Sequence, residues 1–211
     1  MYEEKGNNSK KLFAVLGVFA LVAAVIGVAV AAYTWTFTGE GTNTISTGNI
    51  SMSFLESSDV LSITNALPID DNSAKVKTGT NEKFDFAVST SADGAPGTIT
   101  YNLSISKVAV DSGYTALSDD QVKVYLTSLS GTSTITETQV VAPTLVSSII
   151  TSGDSGTLLS GVTADHTTAN QTHTDRYRLR MWVAQDVDAS SWTSSTKLQY
   201  KLKVSANGSL S

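Results

Sequence analysis

The chain has no cysteine. That absence removes disulfides, iron–sulfur clusters, thiolate zinc sites and cysteine nucleophiles together. Many animal ectodomains are stapled by disulfides, so the lack of them points towards a bacterial, archaeal or viral surface protein. Proline is almost as scarce, with three residues. Serine and threonine make up about a quarter of the chain, but a mucin-like stalk would also need frequent proline. Thr favours strands and Ser favours turns, so this content suits the polar outer faces of β-strands. Positive charge is in deficit, and the net charge is −5. A surface without clustered Lys and Arg is a poor fit to nucleic acid, which is therefore not an expected partner. There are two histidines, and no HExxH, P-loop, GxGxxG or nucleophile elbow stands in a fitting context. No cofactor and no enzymatic activity are expected.

What is present begins with Leu12–Tyr33 (LFAVLGVFALVAAVIGVAVAAY), an uncharged apolar run. As a helix of 22 residues it would reach roughly 33 Å, enough to cross the hydrocarbon of a bilayer. Lys5, Lys10 and Lys11 precede it, and the next basic residue is Lys75. Lys and Arg collect on cytoplasmic flanks, so the N-terminus is expected inside and the body outside. Small residues at Ala29, Ala31 and Ala32 also suit a cleavable signal peptide, although the run exceeds the usual apolar length of about 7–15 residues. Ala23, Gly27 and Ala31 share one helical face, a spacing that permits close helix approach in lipid. Tyr33, Trp35 and Phe37 then alternate. They suit either the headgroup zone or the first buried face of a strand. The expected organisation is a cytoplasmic tail (1–11), a transmembrane or signal-anchor helix (12–33) meeting membrane lipid, a linker or assembly strand (34–48), and an exported domain (49–211).

The exported part alternates apolar and polar residues in many short stretches. They include Ile50–Phe54, Phe84–Val88, Ile99–Ile105, Val122–Leu126, Tyr177–Val183 and Leu198–Val204. Alternation of this kind buries one face of an antiparallel sheet and wets the other. Turn-forming clusters separate the stretches, such as Asp93–Gly97, Asp111–Gly113 and Ser152–Gly156. Shorter strand candidates lie at Val60–Thr64, Ser133–Val141 and Leu145–Thr151, and no other window has a helical period with caps. The fold class is therefore all-β: an antiparallel β-sandwich, of jelly-roll or immunoglobulin-like type, preceded by one N-terminal transmembrane or signal helix. The Gly-, Ser- and Thr-rich stretch Leu129–Thr174 reads as long loops with edge strands.

The order of elements carries a resemblance. Ala32-Tyr33 ends the apolar run, Thr34–Phe37 follows, and Thr42–Ile50 leads into the strand at Met52. Leu67-Pro-Ile-Asp70 then precedes Lys83–Val88 and the strand at Gly97–Ile105. Over roughly residues 30–130 this resembles the TasA/camelysin group of exported bacterial surface proteins. The resemblance implies a jelly-roll domain on the cell surface. It also implies fibre formation by a donated N-terminal strand, here around Tyr33–Ile45 and carrying Tyr33, Trp35 and Phe37. An uncut leader would hold that strand beside the membrane. The metalloprotease activity associated with camelysin has no matching metal motif in this chain.

Few residues suggest chemistry. His166 and His173 lie seven apart in a Thr-rich stretch with Asp165 and Asp175; they would suit a metal only if three ligands met in fixed geometry, and plain surface histidines are the commoner case. The pairs Asp70-Asp71 and Asp119-Asp120, with Asp186 and Asp188, suit either calcium or the caps of turns. In the exported part Asn-x-Ser/Thr triplets begin at Asn49, Asn102, Asn170 and Asn207. Arg176, Arg178 and Arg180 share one strand face, continued by Trp182. That stripe would meet an acidic glycan, lipid headgroups or a partner subunit, unless carboxylates on the next strand take up its charge. The expected function is a non-enzymatic structural surface protein, membrane-anchored or exported, that assembles with itself or with other surface components. The alternatives are a glycan- or receptor-binding adhesin module and a virion membrane or capsid-associated protein.

Overall fold

The chain divides into two compact units, Met1–Trp35 and Thr36–Ser211. A computed structural model describes residues 48–54, 60–79, 82–190, 192 and 197–210, all in the second unit. The expectations for the tail, the apolar run, the linker and Tyr33, Trp35 and Phe37 lie outside the described residues. Among the described residues no helix is long and apolar enough to cross a membrane.

Among the described residues ten strands and two short helices follow in order: β1 (Gly48–Phe54), β2 (Val60–Thr64), α1 (Asp71–Lys75), β3 (Phe84–Ala92), β4 (Gly97–Lys107), β5 (Thr115–Ala116), β6 (Val122–Ser130), β7 (Thr136–Leu145), α2 (Val146–Ile149), β8 (Ser155–His166), β9 (Thr172–Val183) and β10 (Leu198–Leu210). The first sheet runs β1-β3-β9-β6-β7 and the second β2-β10-β4-β8, with the two-residue β5 alongside β10. Every pairing is antiparallel except β5 with β10. The all-β class expected from alternation is what the described residues adopt.

Alternation explains the core. In β4, Ile99, Tyr101, Leu103 and Ile105 are buried while the residues between them are not. In β10, Tyr200, Leu202, Val204 and Ala206 do the same. Facing them from the first sheet are Phe84, Phe86, Val88, Val122, Val124, Leu126, Tyr177 and Leu179, and, Ile99 apart, both sets belong to one hydrophobic cluster. Phe86 stacks on Tyr177 with ring centroids 5.4 Å apart. Each fully buried large side chain contributes about 1.5–3 kcal/mol, which offsets the entropy of ordering many short strands.

The structure departs from the sequence expectation in three places. Leu145–Thr151, a strand candidate, contains the helical turn α2. Its apolar residues anchor rather than alternate, with Val146 fully buried and Ile150 nearly so. Ser155–His166 forms a twelve-residue strand at the border of its sheet; edge strands were expected within Leu129–Thr174, but none was placed here. Finally, β9 is buried on both faces from Leu179 to Val183 instead of one.

The third departure has a local cause. After β2 the chain leaves the second sheet and runs over the outer face of the first. Ile69 pairs with Ala184 in a parallel bridge, and its N–H donates to the Val183 carbonyl at 3.2 Å. Asp70 then caps α1, accepting from the backbone N–H groups of Asn72 and Ser73 at 3.0 Å each. Ala74 of α1 packs on Tyr125 and Trp182, and Asp71 pairs with Lys123 of β6. Residues 65–79, with 82 and 83, thus form a strap across one end of the sheet.

Candidate functional site on the outer face of the first sheet

All three arginines of the chain lie on β9 at alternate positions, Arg176, Arg178 and Arg180. Alternation places them on one face with Trp182, and the buried core residues Tyr177, Leu179 and Met181 occupy the other. The neighbours of β9 are β3 and β6, with β7 beyond β6. Carboxylates come from both sides. Arg178 donates to both oxygens of Asp85 on β3, at 2.6 and 2.7 Å, and also to Glu137 on β7. Arg180 donates to both oxygens of Glu137, at 2.7 and 3.0 Å, and from Nε to the Lys77 carbonyl of the strap at 2.7 Å. Lys83 adds a third cation, 2.8 Å from Asp85. Thr127 of β6 completes the set by donating to Glu137.

The network is largely withdrawn from solvent. The Arg178 side chain is 12 % exposed and that of Arg180 is 2 % exposed. Burying charges costs several kcal/mol per ion unless partners and hydrogen bonds compensate. Here the bidentate geometry does so. The hydrogen bonds from Arg180, followed by its charge and the bonds from Arg178 and Thr127, outweigh burial and hold the Glu137 carboxyl down at about 2. At Asp85 burial pushes upward, but the hydrogen bonds from Arg178 and Lys83 and their charges prevail, leaving it below the usual carboxylate range. The hydrogen bond to Asp85 raises the Arg178 guanidinium, against burial. The charges of Arg178 and Arg180 are thus engaged by protein carboxylates. Arg176 is half-buried and donates to the Gly131 carbonyl at 3.1 Å. Trp182 is 4 % exposed under α1, and its indole N–H has no acceptor among the described residues.

Beside Trp182 the strap encloses a hollow. The β3–β9 ladder ends at Phe84–Leu179, and the next pairing on that flank is Ile69–Ala184. A cavity of about 320 Å³ lies there, with Ile63, Ala66, Leu67, Ile69, Met181 and Trp182 in its wall. Lys77 and Glu82 also line it and pair with each other at 2.6 Å. Sequence reading missed this hollow. Its one signal was Leu67-Pro-Ile-Asp70, where apolar residues stand without strand alternation before a helix-capping Asp.

Comparison with known proteins gives little. No protein-family model and no curated protein matches the chain. Two solved structures show weak similarity. One is titled as TmCBM61 in complex with β-1,4-galactotriose, with 7% identity over 75% of this chain and 87% of that one, at a TM-score of 0.23. The other is AvmM, titled as catalysing macrocyclization in alchivemycin A biosynthesis, with 11% identity over 72% and 88% of the two chains and the same TM-score of 0.23. Neither similarity bears on what this chain binds or does.

The histidines lie towards the other end of β9. His166 is buried; its Nδ1 faces the Gln171 carbonyl at 2.7 Å and its Nε2 faces the Thr90 hydroxyl at 3.1 Å. A carbonyl can only accept, so Nδ1 carries the proton towards Gln171. His173 instead contacts Asp175 at 3.0 Å. Asp165 accepts from Thr98. Among the described residues no group of three or more His, Asp or Glu is placed to hold a metal. Other acidic residues act in turns and pairs. Besides Asp70 and Asp71, Asp119 accepts from Lys107 and Tyr200, Asp120 accepts from Ser118, and Asp188 caps Ser190. Two glycosylation triplets also have structural uses: Asn102 accepts from the Gly161 N–H and Asn170 from the Gly94 N–H.

Proposed function

We propose that this chain is a non-enzymatic structural surface protein, a membrane-anchored or exported β-sandwich subunit that assembles with copies of itself. The observation that carries the reading is the nature of the outermost strands. Among the described residues β7 and β8 each border one sheet and have one strand neighbour. They are ten and twelve residues long. Neither contains Lys or Arg, the residues with which soluble monomers commonly blunt sheet edges. Their blunting devices are milder: Pro143 near the end of β7 and register shifts in the pairings of both strands. The long uncharged run at 12–33 supports placement at a membrane, and the internal pairing of Arg178 and Arg180 leaves little free charge for reading an acidic glycan. The jelly-roll form of the sandwich is part of this proposal, supported by how often consecutive strands lie in opposite sheets. The resemblance to the TasA/camelysin group agrees with it. The test is imaging of the full-length chain in lipid vesicles across a concentration series by electron microscopy. Ordered assemblies that grow with surface density support the reading. A dispersed population of single particles at every density overturns it.

A further inference from the structure

The Asn-x-Ser/Thr triplets at Asn49, Asn102, Asn170 and Asn207 are alike in sequence but not in the fold. Transfer of an N-linked glycan needs an exposed loop, because the Asn side chain must turn back towards the hydroxyl two residues on, a shape that a paired strand denies. Asn49 lies on β1, opposite Ser91 of β3. Asn102 lies on β4 with β10 on one side and β8 on the other. It is half-buried, and its Oδ1 accepts from the Gly161 N–H at 2.8 Å. Asn207 is exposed but stands opposite Asn102 in the β4–β10 ladder, which continues through Ser209.

Asn170 differs from all three. It is exposed in the turn between β8 and β9, with φ of +57°, a left-handed conformation that Asn adopts more readily than most residues. Its N–H donates to the Ala92 carbonyl at 2.8 Å, and its Oδ1 accepts from the Gly94 N–H at 3.1 Å. The second bond uses the carbonyl oxygen of the side chain and not Nδ2, the atom that takes the sugar, so a glycan leaves the bond intact. Thr172, which supplies the hydroxyl of this triplet, is exposed at the first position of β9. It pairs with Ser91 at the end of the β3–β9 ladder, so the triplet touches a ladder only at its last residue.

We propose that Asn170 is the N-glycan acceptor of this chain. This rests on the reading above that the domain is exported, since the transfer takes place outside the cytoplasm. The co-substrate is a lipid-linked oligosaccharide, and the catalyst is an oligosaccharyltransferase of the host. Nδ2 forms a bond to the anomeric carbon of the oligosaccharide, the bond from that carbon to the lipid-borne phosphate breaks, and the proton lost from Nδ2 balances the charge of the departing phosphate.

The folded full-length chain in lipid vesicles is incubated with a single-subunit oligosaccharyltransferase that reads Asn-x-Ser/Thr and with its lipid-linked oligosaccharide, and glycopeptides are counted by mass spectrometry. Occupancy of Asn170 is expected to exceed that of Asn102 and Asn207 at least tenfold, and Asn170→Gln to remove the product without moving it to them. Peptides cut from the chain and carrying the Asn102 or Asn207 triplet are expected to accept at least fivefold better than the folded chain does there. Equal occupancy of Asn102 and Asn170 in the folded chain, or none at Asn170, overturns the site. The same chain is also made in a glycosylating secretory host. A glycan on another of the four triplets with Asn170 bare overturns the site and leaves export standing. No glycan on any of the four, when Asn170 accepts one in vesicles, overturns the export reading instead.

Discussion

Glu137 and Arg180 meet across an intervening strand. Glu137 belongs to β7 and Arg180 to β9, with β6 between them, yet both carboxylate oxygens accept from the guanidinium. Neighbouring strands lie about 4.8 Å apart, so the two backbones are separated by roughly 10 Å. The side chains span that distance by lying over β6, where the small Thr127 leaves room and donates to Glu137. The outermost strand is thereby fastened to the centre of its sheet.

That fastening predicts the cost of losing it. Glu137→Gln keeps the shape of the side chain but leaves the buried Arg180 guanidinium without its anion, while Arg178 keeps Asp85. Breaking a buried pair from one side costs about 3–5 kcal/mol. Glu137 keeps 24 % of its side-chain surface exposed, so the expected loss is smaller, about 2–3 kcal/mol. Urea denaturation should show a lower midpoint with an unchanged slope. A loss below about 0.5 kcal/mol would mean the network is no more than a surface ornament.

Acid should act through the same group. The folded carboxyl of Glu137 lies at about 2, against an ordinary glutamate value of 4.5. A depressed carboxyl contributes stability that is complete above its unfolded value and is lost as pH falls through the folded one. Asp85 is shifted in the same direction. Stability should thus decline from about pH 4.5 towards pH 2, by about 2–3 kcal/mol from Glu137 alone after allowing for screening. Thermal midpoints at low and neutral pH measure this. Glu137→Gln should flatten the decline, and an unchanged pH profile in that variant would refute the assignment.

These properties were unequally legible in the sequence. β4 and β10 were readable because one face meets the core and the other meets water, so alternation is clean. β8 was not, because a strand at the border of a sheet is wetted on much of both faces and its pattern weakens: only Leu158, Ala164 and His166 are buried in it. α1 has five residues, too few for a helical period to show. The arginine stripe itself was evident, and so was pairing with a neighbouring strand. The bond from Arg178 to Asp85 is of that kind. The bond from Arg180 to Glu137 joins strands that are not neighbours, and no local pattern encodes it. The hollow depends on where β3 stops and the strap begins, which is a property of the tertiary fold.

Tyr101 and Tyr177 predict a different response, because the partners are both phenols. Tyr101 of β4 lies 2.6 Å from the Tyr177 hydroxyl of β9 and donates to Asp175, also at 2.6 Å. Its one proton goes to the carboxylate, so Tyr177 must donate to Tyr101. The pair joins the two sheets through the core. Burial raises both phenols above the ordinary tyrosine value, and the bond to Asp175 raises Tyr101 further. Tyr101→Phe strands the Tyr177 hydroxyl and is expected to cost about 1–3 kcal/mol. Adding Tyr177→Phe removes the stranded group and should recover part of that loss. A double-mutant cycle by urea denaturation decides. Simple additivity of the two losses would show that the hydroxyls do not act as a unit.

Gly94 and Gly131 separate backbone strain from steric conflict. Both have φ of +84°, a conformation that disfavours any side chain by about 1–2 kcal/mol. A Cβ at Gly94 would meet nothing within 4 Å, whereas one at Gly131 would fall 2.2 Å from the Thr134 carbonyl oxygen. Gly94→Ala should therefore cost about 1 kcal/mol from strain alone. Gly131→Ala must also displace the turn that presents Ile135, and is expected to cost at least about 1 kcal/mol more. Because β6 and β7 pair directly below this turn, through Ser130 and Thr136, amide exchange at Thr136 and Thr138 should quicken in the second variant and not in the first. Equal losses in the two variants would show that the turn yields freely to the added methyl group.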